Sequence, residues 1–530
     1  MSSLILPRRR LLIASAALSG GGLSGIFAHA QAPAAITRDA ARPSFPSGVQ
    51  SGDVLADRGI VWARSDRAAR LWVEWDTTPA FAHARKLRGP YALETTDFTA
   101  RVDLTGLPAG QEIFYRVQWE DLAGGVRSEP VTGRFRTAPA TRRDVRFLWS
   151  GDAVGQGFGI NGDLGGMTIY EAMRQREPDF FIHSGDTIYA DGPLQAELKA
   201  SDGSTWRNTV LTEEKSKVAE TLKEYRGAHR YNQLDDHQRR FAAEVMQLWQ
   251  WDDHEVTNNW SDSKDVSGDA RYTEKNVALL TSRGARAFLE NAPMRWFAQE
   301  EEQRVYRRIP YGPLLDVFVI DMRSYRGPNS FNLQPTLDAS SAFLGPQQMA
   351  WLRDGLKASR ATWKVIAADM PIGLLVPDGK DTQGRDKFEA VANGDGPALG
   401  RELEIAQLLS FIKHQRIRNT VWLTADVHYT AAHHYHPNRA QFQDFDPFWE
   451  FVSGPLNAGT FGPNPLDNTF GPELRYIKAP APGQSNLPPS AGLQFFGEVQ
   501  IDGKSAALTV HLRDMRGESL WQTTLLPHRA

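Results

Sequence analysis

Five short apolar runs in this 530-residue chain end in residues that can bind cations or move protons. FFIHS (180–184) leads into Gly185-Asp186 and, three residues on, Tyr189. RFLWS leads into Gly151-Asp152, and MQLWQW into Asp252-Asp253-His254-Glu255 with Asn258 and Asn259 beyond. LLDVFVI leads into Asp321 and Arg323, and TVWLTA into Asp426 and His428. A single strand-end aspartate is ordinarily a turn or cap residue. The Asp252–Glu255 run alone reads equally well as the solvated start of a helix, and Arg323 alone as a partner for Asp321. Five such ends together call for another explanation. Crowded carboxylates repel one another and lose hydration at large cost unless cations lie between them. The set therefore reads as a multi-metal site, with Asp186 and Tyr189 among its ligands.

The donor types narrow the metal. Carboxylate, phenolate and imidazole are hard-to-borderline ligands. Tyrosine binds well only as phenolate, and its ordinary pKa is about 10. A strongly Lewis-acidic ion such as Fe³⁺ holds it deprotonated, whereas Ca²⁺ or Mg²⁺ does so poorly. The carboxylate-rich positions suit Ca²⁺, Mg²⁺ or Mn²⁺. With no cysteine in the chain, disulfides, zinc–thiolate sites and a cysteine nucleophile are excluded. No G-x-G-x-x-G follows the first of these strands in the context that a dinucleotide site requires, which disfavours a nucleotide-binding oxidoreductase.

For these ends to meet, the runs must be neighbouring strands, because ligands of open α/β sheets sit beyond the strands' carboxyl ends. VRFLWS (145–150), FFIHS, MQLWQW (246–251), LLDVFVI (314–320), WKVIAA (363–368) and TVWLTA (420–425) are the buried-strand candidates. Helical patterns lie between some of them. The stretch 168–178 stops at Pro178, and 344–359 begins with Pro346 in its first turn and repeats Met349, Leu352 and Leu356. Alternating strands and helices argue for an α/β layered domain over 140–530. Residues 211–245 read as a polar helical excursion, part of a 195–245 segment with the makings of a lid, and FFGEVQIDG with AALTVHLRD as a closing hairpin. Before this domain, 45–139 carries only short alternating strands and turns, a β-sandwich of about seven strands. Residues 31–44 read as a lead-in.

Residues 1–30 combine Arg8-Arg9-Arg10, an apolar stretch from Leu11 to Ala28 and an Ala28-His29-Ala30 cleavage pattern. Pro7-Arg8-Arg9-Arg10-Leu11-Leu12 is similar to a twin-arginine export signal, a plain secretory signal or membrane anchor being the alternatives. Removing this segment takes away three arginines and no acids, so the net charge moves from −3 to −6. That balance gives no electrostatic case for nucleic acid or an anionic membrane as principal partner. No later run approaches the ~18 apolar residues a spanning helix needs. The expectation is a soluble protein, periplasmic or secreted, with the twin-arginine machinery as export partner.

SGDTIYADG, WDDHEVTNNW, DMRSYRG and TADVHYT together resemble the alkaline phosphatase D family and, more distantly, purple acid phosphatases and other metallophosphoesterases. The resemblance spans nearly the whole mature chain. It implies a four-layer metallophosphoesterase sandwich, two mixed sheets flanked by helices, behind a fibronectin type III-like domain, with Fe³⁺ and Ca²⁺ at the site and Mn²⁺, Mg²⁺ or Zn²⁺ as alternatives. It implies Asp152, Asp186, Tyr189 and His428 as ligands of iron, with Asp186 bridging. Asp253 and Asp426 stand where the wider superfamily has Asn and His, which hardens that side towards calcium. His254 matches the histidine that approaches phosphate, and Arg323 is placed to clamp ester oxygens. Several members carry a cysteine before the first Asp where this chain has Gly151. The implied activity is hydrolysis of a small-molecule phosphate monoester by metal-activated water. Alternatives are phosphodiesterase or phospholipase-D-like cleavage of lipid or cell-wall diesters, and a non-enzymatic exported metal or glycan binder. The glycines of 151–167 allow either an anion cradle or a floppy surface loop. His433, His434 and His436 allow a second metal site or a site wall, and the aromatics of 442–451 a core or a pocket lining.

Overall fold

Three strands, Val145–Ser150, Phe180–Ser184 and Met246–Gln250, run parallel side by side and are almost wholly buried. Continuous apolar runs of this kind belong in parallel sheets covered on both faces. They form the middle of a nine-stranded sheet. A second sheet of seven strands is built around Leu315–Val319, Trp363–Ala367, Thr420–Thr424 and Phe448–Val452, again mutually parallel. The computed structural model describes residues 42–261, 263–296 and 303–528. The expected export signal (1–30) and most of the lead-in (31–44) therefore lie outside the described residues.

The two sheets pack face to face. Phe147, Ile182 and Leu248 from the first meet Val317, Val365 and Leu423 from the second in one core. Hydrogen bonds tie the sheets together at one end. Gln250 Nε2 donates to Ile320 O at 3.1 Å and Ala367 O at 2.9 Å, and Trp149 Nε1 donates to Thr424 O at 3.1 Å. All these atoms lie at the carboxyl ends of strands, so both sheets deliver their following residues to the same place.

Helices cover the outer faces. Ile169–Arg174 and Asp236–Glu244 pack Met173 and Phe241 on Leu148 and Phe181. Leu222–Asn232 and Val277–Asn291 pack Tyr225, Ala228 and Phe288 around Trp249 and Trp251. On the second sheet, Gly345–Ala358 and Glu402–His414 set Leu352, Leu356, Leu408 and Leu409 against Phe318, Ile366 and Trp422. Pro346 occupies the first turn of its helix, as expected. The 222–232 helix starts with a reciprocal Thr221–Glu224 capping box.

The N-terminal region has seven strands between Val49 and Arg136. Glu112–Asp121 alternates cleanly, turning Ile113, Tyr115, Val117 and Trp119 inward. These strands do not keep to themselves. Val49–Gly52 pairs in parallel with Met246–Gln250 and carries Arg58–Arg64 and Thr99–Thr105 into the nine-stranded sheet. The other four make a separate sheet. The C-terminal segment is a three-stranded meander, Phe495–Ile501, Leu508–Asp514 and Ser519–Leu525, rather than a two-stranded hairpin. It lies beside Val145–Ser150.

Candidate metal centre

Four of the strand-end residues singled out in the sequence sit with positive φ: Asp152 (65°), Asp186 (48°), Asp426 (66°) and His428 (60°). Left-handed backbone is uncommon outside glycine, costs strain and concentrates at functional sites. It turns each side chain sharply out of its strand direction into the crevice. There, one donor atom each from Asp152, Asp186 and His428 lies within 4.8 Å of the others. Asp186, Asp253 and His254 form a second such group, and Asp252, Asp253 and Asp426 a third. Asp186 is common to the first two and Asp253 to the last two, so the three groups form one chain of carboxylates.

Tyr189 joins the first group, its Oη 2.7 Å from His428 Nε2. His428 Nδ1 is hydrogen-bonded to Gly459 O. A carbonyl can only accept, so Nδ1 carries the proton and Nε2 offers its lone pair to the Asp152–Asp186–Tyr189 cluster. Burial holds this imidazole neutral, lowering its pKa to about 4. Burial and then neighbouring acids push the Asp152 and Asp186 carboxyls well above the usual range, and Tyr189 likewise. Asp152 Oδ2 is buried without a hydrogen-bond partner. Carboxylates that outnumber their counter-charges, an orphaned oxygen and an oriented imidazole fit hard, highly charged cations.

His254 is set differently. Its Nδ1 is 2.6 Å from Asp191 Oδ1, and Asp191 Oδ2 accepts from Asn258 N at 2.9 Å. Burial works against both charges. Yet the pair, with Asp253 and Asp186 nearby, holds His254 well above the imidazole range and Asp191 down at about 2. Nε2 of His254 lies 3.9 Å from Asp253 Oδ2, and His254 lines a pocket of about 590 Å³ together with Tyr189, Lys264, Arg271, Asp265 and Asp269. Asp191 ends the stretch SGDTIYAD and has no role in the sequence reading; its signal is a second acid in the same short loop. Glu255 was also left without a role. It accepts from Thr187 N, Thr187 Oγ1 and Asp252 N at 2.6–2.7 Å, which stitches two ligand loops together.

Arg323 does not occupy the position expected of an oxygen clamp. Its side chain is wholly buried, bonded to Asp252 and Glu389 and 3.3 Å from Asp369. Its remaining nitrogen points to Asp253 (3.6 Å) and Asp426 (3.7 Å). The guanidinium is thus the internal counter-charge behind the third group, and with His254 it outweighs burial to hold Asp253 below the usual carboxylate range. Asp369, after the WKVIAA strand, was missed. Asp321 faces away and caps its own turn, accepting from Arg323 N at 3.0 Å and Ser324 N at 2.9 Å.

The glycine-rich loop is neither floppy nor an anion cradle. Many of its N–H groups are taken: Val154 by Asn457 O, Gly159 by Asn208 Oδ1 and Ile160 by Tyr231 Oη. Its glycines allow close packing instead, since a Cβ on Gly155 would stand 2.7 Å from Tyr189 Cζ. A Cβ at Gly151 would meet Ala425 Cβ and Gly185 O at 3.1 Å, so a cysteine there needs its neighbours to move. His433 is buried against Glu450 at 3.1 Å, and His436 caps a short turn through Asn438 N. Neither is free for a second metal site. Of the 442–451 aromatics, Phe442, Phe445 and Phe448 pack in or against the core. The 211–245 segment is anchored on the sheet by its helices; Lys215 Nζ donates to Tyr189 O and Gly192 O, each at 2.7 Å. Only Gln195 and Leu198, ahead of the helices, reach the pocket rim.

Residues 147–512 match the family model described as PhoD-like phosphatase, and 29–139 match that of its N-terminal domain. The chain belongs to the PhoD-like phosphatase family. It is 26% identical to alkaline phosphatase D of Bacillus subtilis (strain 168) over 466 residues, covering 83% of this chain and 75% of that one. A solved structure of PhoD shares its fold with a TM-score of 0.67 at 21% identity, covering 91% and 89% of the two chains. A purple acid phosphatase from yellow lupin (Lupinus luteus) seeds aligns with a TM-score of 0.54 at 14% identity, covering 92% and 74%. The PhoD-like family membership accounts for the mixed sheets with helices and the N-terminal β region; among the described residues no helix is long and apolar enough to cross a membrane.

Proposed function

We propose that this protein hydrolyses phosphate monoesters with cations held by the strand-end cluster, as an alkaline phosphatase. The observation that carries the proposal is the shared position of Asp186 between two donor groups in a PhoD-like chain. Asp152, Asp186, Tyr189 and His428 would hold Fe³⁺, the ion best able to keep a buried phenolate ionised. Asp253 and Asp426, with Asp186, would hold Ca²⁺, with Mn²⁺, Mg²⁺ or Zn²⁺ as alternatives. When bound, such ions neutralise ester oxygens and lower the pKa of water towards 7.

The chain's own groups do the rest. Asp191 fixes the His254 ring and stabilises its protonated form, so His254 presents a proton at Nε2 to the leaving oxygen. Arg323 keeps Asp253 ionised from behind. The pocket beside His254 takes the leaving group; Lys264 and Arg271 on its wall are balanced by Asp191, Asp265 and Asp269, so it gives no preference for a charged alcohol. The same pocket has room for the second substituent of a diester, which keeps phosphodiesterase, including phospholipase-D-like action, as the second reading. We further infer a four-layer sandwich behind a fibronectin type III-like domain, export by the twin-arginine machinery, and residence in the periplasm or medium.

The test is elemental analysis of natively exported protein together with rates on p-nitrophenyl phosphate and its bis-ester. Two or more bound cations per chain and faster monoester cleavage are expected. A fully metallated protein inert on both esters would leave a metal binder and overturn the proposal.

A further inference from the structure

At the opposite end of the second sheet lies a groove of about 540 Å³ whose lining contains no aspartate or glutamate. Arg142, Lys357, Arg360, Arg416, Arg418 and Lys504 surround it. They come from four separate places: the approach to Val145–Ser150, the end of the Gly345–Ala358 helix, the turn after the Glu402–His414 helix, and the turn between Phe495–Ile501 and Leu508–Asp514. Lys364 lies deeper, its Nζ donating to Ala361 O at 2.8 Å. Asn419 ties the C-terminal segment to the rim, donating to His528 O at 3.3 Å and accepting from His528 N at 2.8 Å.

Several buried arginines have carboxylate partners: Arg307 with Asp53, Arg513 with Glu498, Arg323 with five acids. Around the groove only Arg418 does, with Asp446. Arg142, Lys357, Arg360, Arg416 and Lys504 are exposed, and among the described residues none makes a side-chain hydrogen bond or ion pair. Of the acids nearest in sequence, Asp144 accepts from Gly503 N and Asp502 from Ser505, while Asp354 is exposed and lies outside the lining. Cations gather at helix C-termini because of the backbone dipole. That accounts for Lys357 but not for Arg142 or Lys504, which no helix precedes. Concentrating free cations in one concavity of a chain whose net charge is −3 costs self-repulsion that an anionic occupant relieves.

We propose that this groove is a docking site for a linear polymer of phosphate groups. Its charges are exposed and spread around a rim rather than converging on one buried point, so affinity comes from several weak contacts, as with chain polyanions. A flat anionic membrane would not reach into a concavity. Asn419 opens the Thr420–Thr424 strand whose far end leads to Asp426, so the groove lies roughly 20 Å from the carboxylate cluster along the sheet. A polymer held there is retained near the protein without blocking the crevice, raising its local concentration.

The test compares the full metallated protein with its Arg142→Ser/Arg360→Ser/Arg416→Ser variant, at equal metal content by elemental analysis. Binding of inorganic polyphosphate is measured by calorimetry across a salt series. The variant is expected to bind about tenfold more weakly, with the slope of log affinity against log salt reduced by roughly two. Its hydrolysis of p-nitrophenyl phosphate should stay within about twofold of the parent's, since none of the three residues reaches the crevice. Polyphosphate affinity unchanged in the variant overturns the proposal. So does orthophosphate competing as well as the polymer, which means a single-phosphate site. Anionic phospholipid vesicles, or duplex DNA, binding more tightly through the same residues overturns it too, in favour of a membrane or nucleic-acid surface. Loss of p-nitrophenyl phosphate hydrolysis in the parent alone bears on the catalytic proposal and leaves this one standing.

Discussion

Replacing Asp191 with asparagine separates the two jobs proposed for the crevice, holding cations and delivering a proton. Asp191 touches His254 at 2.6 Å and receives Asn258 N at 2.9 Å, and it belongs to none of the three donor groups. The amide keeps the shape and one acceptor but removes the charge facing the ring. Burial alone would raise this carboxyl, yet it sits at about 2 against an ordinary 3.8, chiefly through His254. That difference corresponds to on the order of 2 kcal/mol favouring the ionised partner. The whole of it would be worth on the order of 30-fold in rate and half of it about fivefold, at about 1.4 kcal/mol per decade. The loss should depend on the leaving group. p-Nitrophenolate departs without much protonic help, whereas an alkoxide needs it. On an alkyl phosphate, kcat should fall about 5–30-fold, on p-nitrophenyl phosphate much less, and metal content by elemental analysis should not change. Equal losses on both substrates would refute the proton-delivery role. Lost metal would show that Asp191 supports the cations instead.

Three further perturbations test the frame around that dyad. Asp186→Asn should abolish activity and lower metal stoichiometry measured on the same sample; an active, fully loaded variant refutes the bridging position. Lys215→Met leaves the Tyr189 and Gly192 carbonyls without their donor, which should cost about 1–3 kcal/mol in chemical denaturation and lower kcat while the metals stay bound. Glu402 is pushed up to about 9, by burial and then by Asp467. The folded chain therefore keeps a proton that the unfolded chain releases near its ordinary 4.5. This contribution to stability is fully present below pH 4.5 and disappears as pH rises to about 9. Glu402→Gln should raise stability relative to the parent by on the order of 3 kcal/mol at pH 8 and make little difference at pH 5. Parallel melting-temperature profiles for the two proteins would contradict it.

The catalytic strands were legible because parallel strands buried on both faces leave unbroken apolar runs. Phe180–Ser184 and Thr420–Thr424 appear within a residue of their expected positions. The donor set was legible because strand ends are where a sheet can present side chains without breaking its ladder. Asp369 and Asp191 escaped notice since neither spacing nor neighbours distinguish a buried acid from a turn acid. The surroundings of Arg323 are illegible for a related reason: sequence shows that a cation is near carboxylates, not which side of them it stands on. The cationic groove could not be read at all, because successive members of Arg142, Arg360, Arg416 and Lys504 are 56 to 218 residues apart and only folding makes them neighbours. The Val49–Gly52 pairing with Met246–Gln250 was equally hidden, as four residues carry no register information.

The nine-stranded sheet borrows from both extremities of the chain. Val145–Ser150 rests against a strand synthesised some 350 residues later, and Met246–Gln250 against one made some 190 residues earlier. Ribosomal order therefore leaves the first ligand-bearing strand with a bare flank until translation is nearly over, and an uncovered flank of that kind invites pairing with other chains. A gene cut at residue 140, or stopped before 495, would yield no smaller working unit but a sticky fragment, so the two ends are bound to be inherited together.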